Sequence, residues 1–352
     1  MGSCTSGSLL HAPRSDHRAA AAAATASDPL LSVEGLSVSY ERDGIRETPV
    51  RNVSLALRQG EILGVVGESG SGKSQMCLAL LGLLGKSAQV AGSARLSDRE
   101  LVGLGDQEFM GIRGAELGMI FQDPGRALDP LTRIGTYFVD VLRCKRGIDA
   151  GSARQEAQRL LADVGLPDPK RLLACYPHQL SGGMKQRVTI ALALAGNPKI
   201  LIADEPTTAL DVTMQTQILE LLCSIRDRFQ TAILLVTHDL GVVAEVCDSV
   251  AVMYAGEVVE RASVWSLFDS PRHPYTQALL NALPRVDRTV GTLQVIEGAM
   301  PHPREIVSGC MFAPRCQAAH ERCHVEAPPR TRIGDQAETA CWRPFLVSSG
   351  TQ

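Results

Sequence analysis

The chain lacks any apolar run long enough to cross a membrane, since a helical span needs about 18–20 such residues. The longest runs, Met76–Leu84 and Val188–Ala195, suit buried helices of a water-soluble domain. It also lacks an excess of basic charge. There are 35 Lys and Arg against 38 Asp and Glu, for a net charge of −3. Proteins that grip phosphate backbones carry the opposite balance, so nucleic acid is not expected as the main partner. A secretory signal is missing as well. Residues 1–29 are rich in Ala, Ser and His, with a bare alanine run at Ala19–Ala24, and no long apolar segment precedes a cleavage site. They are expected to form an unfolded tail. Met1-Gly2-Ser3-Cys4-Thr5-Ser6 fits a loose myristoylation pattern, which is too short to carry weight. No internal repeat is found.

What is present is 352 residues, 45% hydrophobic and 21% charged, enough for one large domain and a smaller one. Leu30–Tyr40 alternates and reads as a first strand. Ile62–Gly67, Leu117–Phe121, Ile200–Ala203 and Ala232–Val236 are apolar runs of strand length. Runs apolar on both faces suit a buried parallel sheet covered by helices. Helical patterns fall at Lys73–Leu84, Ala153–Val164, Met184–Ala195 and Gln215–Arg228, the last placed as a crossover between two strands. The expected fold class is α/β through about residue 260, with a boundary near 265–285 where proline density rises.

Gly67-Glu68-Ser69-Gly70-Ser71-Gly72-Lys73-Ser74 matches G-x-x-x-x-G-K-[ST] between a strand and a helix. The glycines let backbone N–H groups wrap a phosphate, and the helix N-terminus adds partial positive charge. Lys73 can reach the β- and γ-phosphates, and the Ser74 hydroxyl can ligate Mg²⁺. Ile200–Glu205 is a strand ending in two carboxylates. Asp204 can hold Mg²⁺, and Glu205 can act as general base on the attacking water.

Leu180-Ser181-Gly182-Gly183-Met184-Lys185-Gln186-Arg187 resembles the signature motif of ABC (ATP-binding cassette) ATPases. Its small residues open a helix, so N–H groups and a hydroxyl can face an anion. The resemblance implies MgATP as cofactor and a phosphate-loop NTPase core with a helical subdomain. It also implies a head-to-tail pair in which Ser181, Gly182 and Gly183 contact the γ-phosphate held by the opposite subunit. The family's remaining parts follow in order. Gln122 matches the glutamine that touches Mg²⁺ or water and senses the membrane partner. Ala209-Leu210-Asp211 matches the D-loop, His238 the switch histidine, and Tyr40 the aromatic that stacks on adenine; a core tyrosine is the rival reading for Tyr40.

The stretch after the cassette narrows the resemblance. Pro271-Arg272-His273-Pro274-Tyr275-Thr276, Ala278-Leu279-Leu280, Ala282-Leu283-Pro284 and Gly309–Cys316 look like the C-terminal region of bacterial oligopeptide, dipeptide and nickel importer ATPases. Phe121-Gln122-Asp123-Pro124 and Leu128-Asp129-Pro130 also fit that branch, with a departure at Gly125-Arg126-Ala127. The expected organisation is a tail (1–29), an ATP-binding domain (30–265) and a C-terminal domain of this type (266–352). The resemblance implies peptide import, with nickel or glutathione import, or a soluble non-transport ABC ATPase, as alternatives. It implies a second ATPase subunit, two integral-membrane permease subunits and a substrate-binding protein as partners, and a peripheral place on the cytoplasmic face of the inner membrane.

Ten cysteines are unevenly used. Cys77, Cys144, Cys175, Cys223 and Cys247 are scattered and expected to be buried free thiols. Cys310, Cys316, Cys323 and Cys341 cluster. With no secretory signal the expected compartment is reducing, so the cluster suggests metal rather than disulfides. An iron–sulfur cluster, tetrahedral zinc and plain thiols all remain open on spacing, although C-x2–4-C zinc knuckles are absent. The family resemblance favours a [4Fe-4S] cluster. His320 and His324 are substitute candidates.

Overall fold

The computed structural model describes residues 28–208, 210–283, 296–305, 308–334 and 337–344. Most of the expected tail, residues 1–27, lies outside the described residues, as does Ala209 of the D-loop.

Two sheets share the core. The first is antiparallel, in the order β2-β1-β4-β5. Its strands are β1 (Leu31–Arg42), β2 (Ile45–Leu57), β4 (Ala88–Leu96) and the two-residue β5 (Arg99–Glu100). The second runs β11-β12-β10-β9-β3-β8-β7-β6. It contains β3 (Ile62–Val66), β6 (Leu117–Ile120), β7 (Ile200–Asp204), β8 (Ala232–Thr237), β9 (Ser249–Tyr254), β10 (Glu257–Ser263), β11 (Thr331–Ile333) and β12 (Ala337–Thr339). Strands β9, β3, β8, β7 and β6 are mutually parallel. Every residue of β3, β7 and β8 is buried, as continuous apolar runs demand. The expected α/β class holds.

Five longer helices belong to the cassette region. They are α1 (Lys73–Leu80), α2 (Ile134–Arg146), α3 (Ala150–Asp163), α4 (Gly182–Leu194) and α5 (Val212–Phe229). Helices α2, α3 and α4 pack together as a helical subdomain. Helix α1 stops at Leu80, short of the expected Leu84. Gly82 turns the chain at φ +59, and a side chain there would strike the Phe109 ring.

The segment after residue 265 is not a detached appendage. Its helix α6 (Pro274–Asn281) begins with proline in the first turn, where no N–H is missed. Strand β12 pairs antiparallel with β10, so the C-terminal residues extend the main sheet. Among the described residues no helix is long and apolar enough to cross a membrane. Of the scattered cysteines, Cys77 and Cys247 are buried as expected. Cys175 and Cys223 are only half-buried, and Cys144 is exposed.

Candidate functional site

Parallel strands β3, β8, β7 and β6 lie side by side and end at one edge. Each delivers a polar residue there. Strand β3 leads into the Gly67–Ser74 loop, β7 into Asp204 and Glu205, β8 into His238 and β6 into Gln122. The register aligns these ends, with Val66 opposite Thr237, Asp204 opposite Val236 and Ile120 opposite Ala203. Open parallel sheets place ligands at this edge. A cleft of about 410 Å³ opens there, lined by Gly67, Glu68, Ser69, Gln122, Glu205 and His238 among others.

The loop's shape requires glycine at two positions. A side chain on Gly67 would run into the Met253 carbonyl. Gly72, at φ +99, would strike the Pro49 carbonyl. Lys73 is buried and curls into the loop. Its Nζ donates to the carbonyls of Gly67 (2.8 Å) and Glu68 (2.9 Å) and to Ser71 Oγ (3.2 Å). Burial lowers the Lys73 pKa, while Glu205, Asp204 and Glu68 push the other way. Ser69, Gly70 and Ser74 are exposed, Gly72 is buried, and α1 starts at the lysine.

Asp204 is buried with Oδ1 lacking a hydrogen-bond partner, while its carboxylate is hydrogen-bonded to Ser74. Burial raises its pKa despite the Ser74 bond and the Lys73 charge. An orphaned carboxylate oxygen beside the loop hydroxyl is the donor set a hard divalent cation takes when phosphates complete its shell. Glu205, at φ +46, is gripped on both oxygens. Gln122 Nε2 donates to Oε2 at 2.9 Å, Thr208 Oγ1 to the same oxygen at 2.8 Å, and His238 Nδ1 meets Oε1 at 3.3 Å. Burial opposes its charge, but the bonds from Thr208 and His238 and the nearby positive groups win and hold its carboxyl below the ordinary range.

The Ser181–Gly183 segment does not line this cleft. Ser181 caps α4, its Oγ accepting from Met184 N at 3.3 Å, and is exposed with Gly182. Gly183 packs so closely on Met214 of α5 that a side chain would collide with it. Asp211 caps α5 by accepting from Met214 N at 2.9 Å. Gln186 of α4 donates to the Pro206 carbonyl at 2.7 Å, tying this helix to the turn that carries Glu205. Tyr40 is half-buried on β1, and its hydroxyl donates to Gln75 of α1 at 2.6 Å. Its ring packs partly on the core between the sheets.

Thr208 and two residues of the C-terminal segment reach the site without having been expected there. Tyr275 accepts from the Glu68 backbone N–H at 3.0 Å, and Arg315 pairs with the Glu68 carboxylate at 3.1 Å. No local pattern flags contacts across more than two hundred residues.

Cys310, Cys316, Cys323 and Cys341 all line one hollow, with His320. The thiols of Cys310, Cys316 and Cys341 accept backbone N–H groups of Phe312, Ala318 and Arg343. Burial pushes the Cys310 thiol up to about 11 and raises Cys316 and Cys341. The buried Nε2 of His320 has no hydrogen-bond partner. Yet among the described residues no group of three or more His, Cys, Asp or Glu is placed to hold a metal ion. The expected iron–sulfur site is therefore not present as a formed ligand set among the described residues, although the four thiols line one hollow.

Fold and site together define a phosphate-loop nucleotide hydrolase. A family model described as "ABC transporter" matches residues 50–208, and one described as "Oligopeptide/dipeptide transporter, C-terminal region" matches 259–323. The oligopeptide transport ATP-binding protein OppD of Haemophilus influenzae is 46% identical over 316 residues, 90% of this chain and 97% of that protein. The dipeptide transport ATP-binding protein DppD of Escherichia coli is 43% identical over 317 residues, with the same coverage of each. A dimeric ATP-binding cassette solved in a post-hydrolysis state with ADP and phosphate superposes with TM-score 0.60. It is 30% identical, over 66% of this chain and 98% of that one. The chain belongs to the ABC transporter ATP-binding family, in the branch that carries the oligopeptide/dipeptide C-terminal region, and is an ATPase of that class.

Proposed function

We propose that this chain is the energy-coupling ATPase of a bacterial importer of di- or oligopeptides. The observation that carries the chemistry is the Glu205 carboxylate, ionised, gripped by Gln122, Thr208 and His238, and facing the cleft beside the phosphate loop. In this reading Gly67–Ser74 wraps the ATP phosphates and Lys73 neutralises them. Ser74 and Asp204, with Gln122, hold Mg²⁺, which supplies charge neutralisation at the phosphates when bound. Glu205 takes a proton from the attacking water, and His238 contacts the γ-phosphate.

Ser181, Gly182 and Gly183 stand exposed or at a helix start away from the cleft, which supports their use on a nucleotide held by a second subunit. The dimeric state of the solved cassette above supports the same pairing. Asp211 caps α5, whose Met214 packs on Gly183 of the signature segment, which supports a place for Asp211 beside the paired nucleotide. Two permease subunits and a substrate-binding protein complete the assembly, with this chain peripheral on the cytoplasmic face. Residues 266–352 form the C-terminal domain of the importer branch. Tyr40 stacks on adenine.

A thiolate-held group at the four C-terminal thiols, a [4Fe-4S] cluster before zinc, would require them to draw together from the hollow they line, where no ligand set is formed among the described residues. Metal analysis of an anaerobic preparation decides this, and a colourless, iron-free protein eliminates the cluster. For the main reading, the chain is reconstituted with the permease and binding protein of its own gene cluster. Peptides stimulate ATP hydrolysis and enter vesicles if the reading is right. Stimulation by nickel alone refutes it.

A further inference from the structure

Arg315 is a buried cation that reaches the phosphate loop from the C-terminal segment. It sits in a 3₁₀ turn, Ala313–Arg315, between two of the clustered cysteines, with its side chain only 5% exposed. Its Nη1 donates to both oxygens of Glu68 at 3.1 Å and to Tyr254 Oη at 3.3 Å. Its Nε and Nη2 donate to the carbonyls of Glu297 (2.9 Å) and Ile296 (3.1 Å). Five bonds to one guanidinium leave it little freedom to turn. Glu68 is the second residue of the phosphate loop.

Tyr275 holds the same residue from another side. Its hydroxyl accepts the Glu68 N–H at 3.0 Å, and its ring lies in an aromatic cluster with Tyr254 (4.6 Å) and Phe312 (5.3 Å). The peptide that follows carries the Glu68 carbonyl, which accepts from Lys73 Nζ at 2.9 Å. The strap containing Ile296 and Glu297 continues along the loop. Met300 lies against Gly70, and Pro303 accepts from the Thr48 backbone and from Arg51 on β2.

We propose that Arg315 and Tyr275 are positioning residues of the nucleotide site, through which the C-terminal segment holds the Glu68 peptide and so aims the Lys73 ammonium at the phosphates. The inference rests on the assignment of Gly67–Ser74 as the phosphate site and adds the part that sets its shape. A loop built from glycine and serine has many accessible conformations, and fixing it before ligand arrives removes an ordering cost from binding. The C-terminal segment is then part of the ATP site rather than only an attachment to it.

The test uses the full chain and equilibrium titration with MgATP and with MgADP. Its variants are Tyr275→Phe, Arg315→Gln, Arg315→Lys, Glu68→Gln and the Arg315→Gln/Glu68→Gln pair. Tyr275→Phe removes one hydroxyl from a filled core, so it keeps the fold. Loss of one such bond corresponds to a change of up to about tenfold in affinity. The expected result is a Kd for both nucleotides raised roughly five- to tenfold in Tyr275→Phe and in Arg315→Gln, with partial recovery in Arg315→Lys. The double variant is expected to be no weaker than the worse single one, because both act through one peptide. Unchanged affinity in Tyr275→Phe and Arg315→Gln overturns the proposal. So does a fall in thermal stability with unchanged affinity, which is what a merely structural role gives. Additive losses in the double variant also overturn it. If the parent chain itself binds no nucleotide, the phosphate-site assignment fails instead.

Discussion

The side-chain amide of Gln122 donates to Oε2 of Glu205 at 2.9 Å, joining two residues 83 positions apart. The bond links the end of β6, where the chain turns outward through exposed Phe121, to the carboxylate that faces the cleft. Gln122 thereby fixes one oxygen of Glu205, to which Thr208 also donates. Replacing Gln122 by Ala leaves the loop and Lys73 intact. The expected outcome is a fall of roughly tenfold in kcat, with ATP affinity altered less than about threefold, since Ser74 and Asp204 still hold the metal and mainly the positioning of Glu205 is lost. Steady-state kinetics paired with nucleotide titration checks it.

Asp204 is a buried carboxylate that the fold tolerates poorly. It is buried, its Oδ1 has no partner, and burial raises its pKa. Asp204→Asn removes the buried charge and keeps the shape. We expect the nucleotide-free protein to melt at the same temperature or slightly above the parent, while Mg²⁺-dependent hydrolysis falls by at least about a hundredfold. Thermal melts with and without MgATP separate the two effects. A large drop in the nucleotide-free melting temperature contradicts this account of Asp204.

His273 gives the fold a pH dependence. Its Nδ1 accepts from Tyr275 N at 3.0 Å, opening α6, and full burial lowers its pKa from 6.5 to about 3. The imidazole is therefore neutral when folded and takes up a proton below pH 6.5 when unfolded. Its contribution to stability is complete above that pH and is lost as pH falls from 6.5 towards 3. The slope is about 1.4 kcal/mol per pH unit, so about 2 kcal/mol is lost by pH 5. Denaturant melts at pH 7 and pH 5 should show that loss in the parent. His273→Asn, which keeps a capping side chain, should show a correspondingly smaller one.

Much of the site was legible in the sequence because its parts are local. The buried strands β3, β7 and β8 are continuous apolar runs, and each hands its functional residue to the turn directly after it. The antiparallel sheet was legible only at β1. Its partners β2 and β4 mix buried and exposed positions around bulges, which blurs a period-two pattern. The thiols were visible as a cluster, but spacing cannot say whether four cysteines meet at a point or merely share a wall. Tyr275 and Arg315 lie in family-like stretches whose sequence assigns them no role. Their contacts with Glu68 join residues more than two hundred positions apart and exist only in the folded chain.

The most direct test of the account is Glu205→Gln. The amide keeps the size of the carboxylate and removes its basicity. In the full chain paired as in its transporter, ATP hydrolysis should fall by at least about a hundredfold, while MgATP still binds within about threefold of the parent. Hydrolysis at the parent rate in this variant would contradict the role assigned to Glu205 and the mechanism built on it.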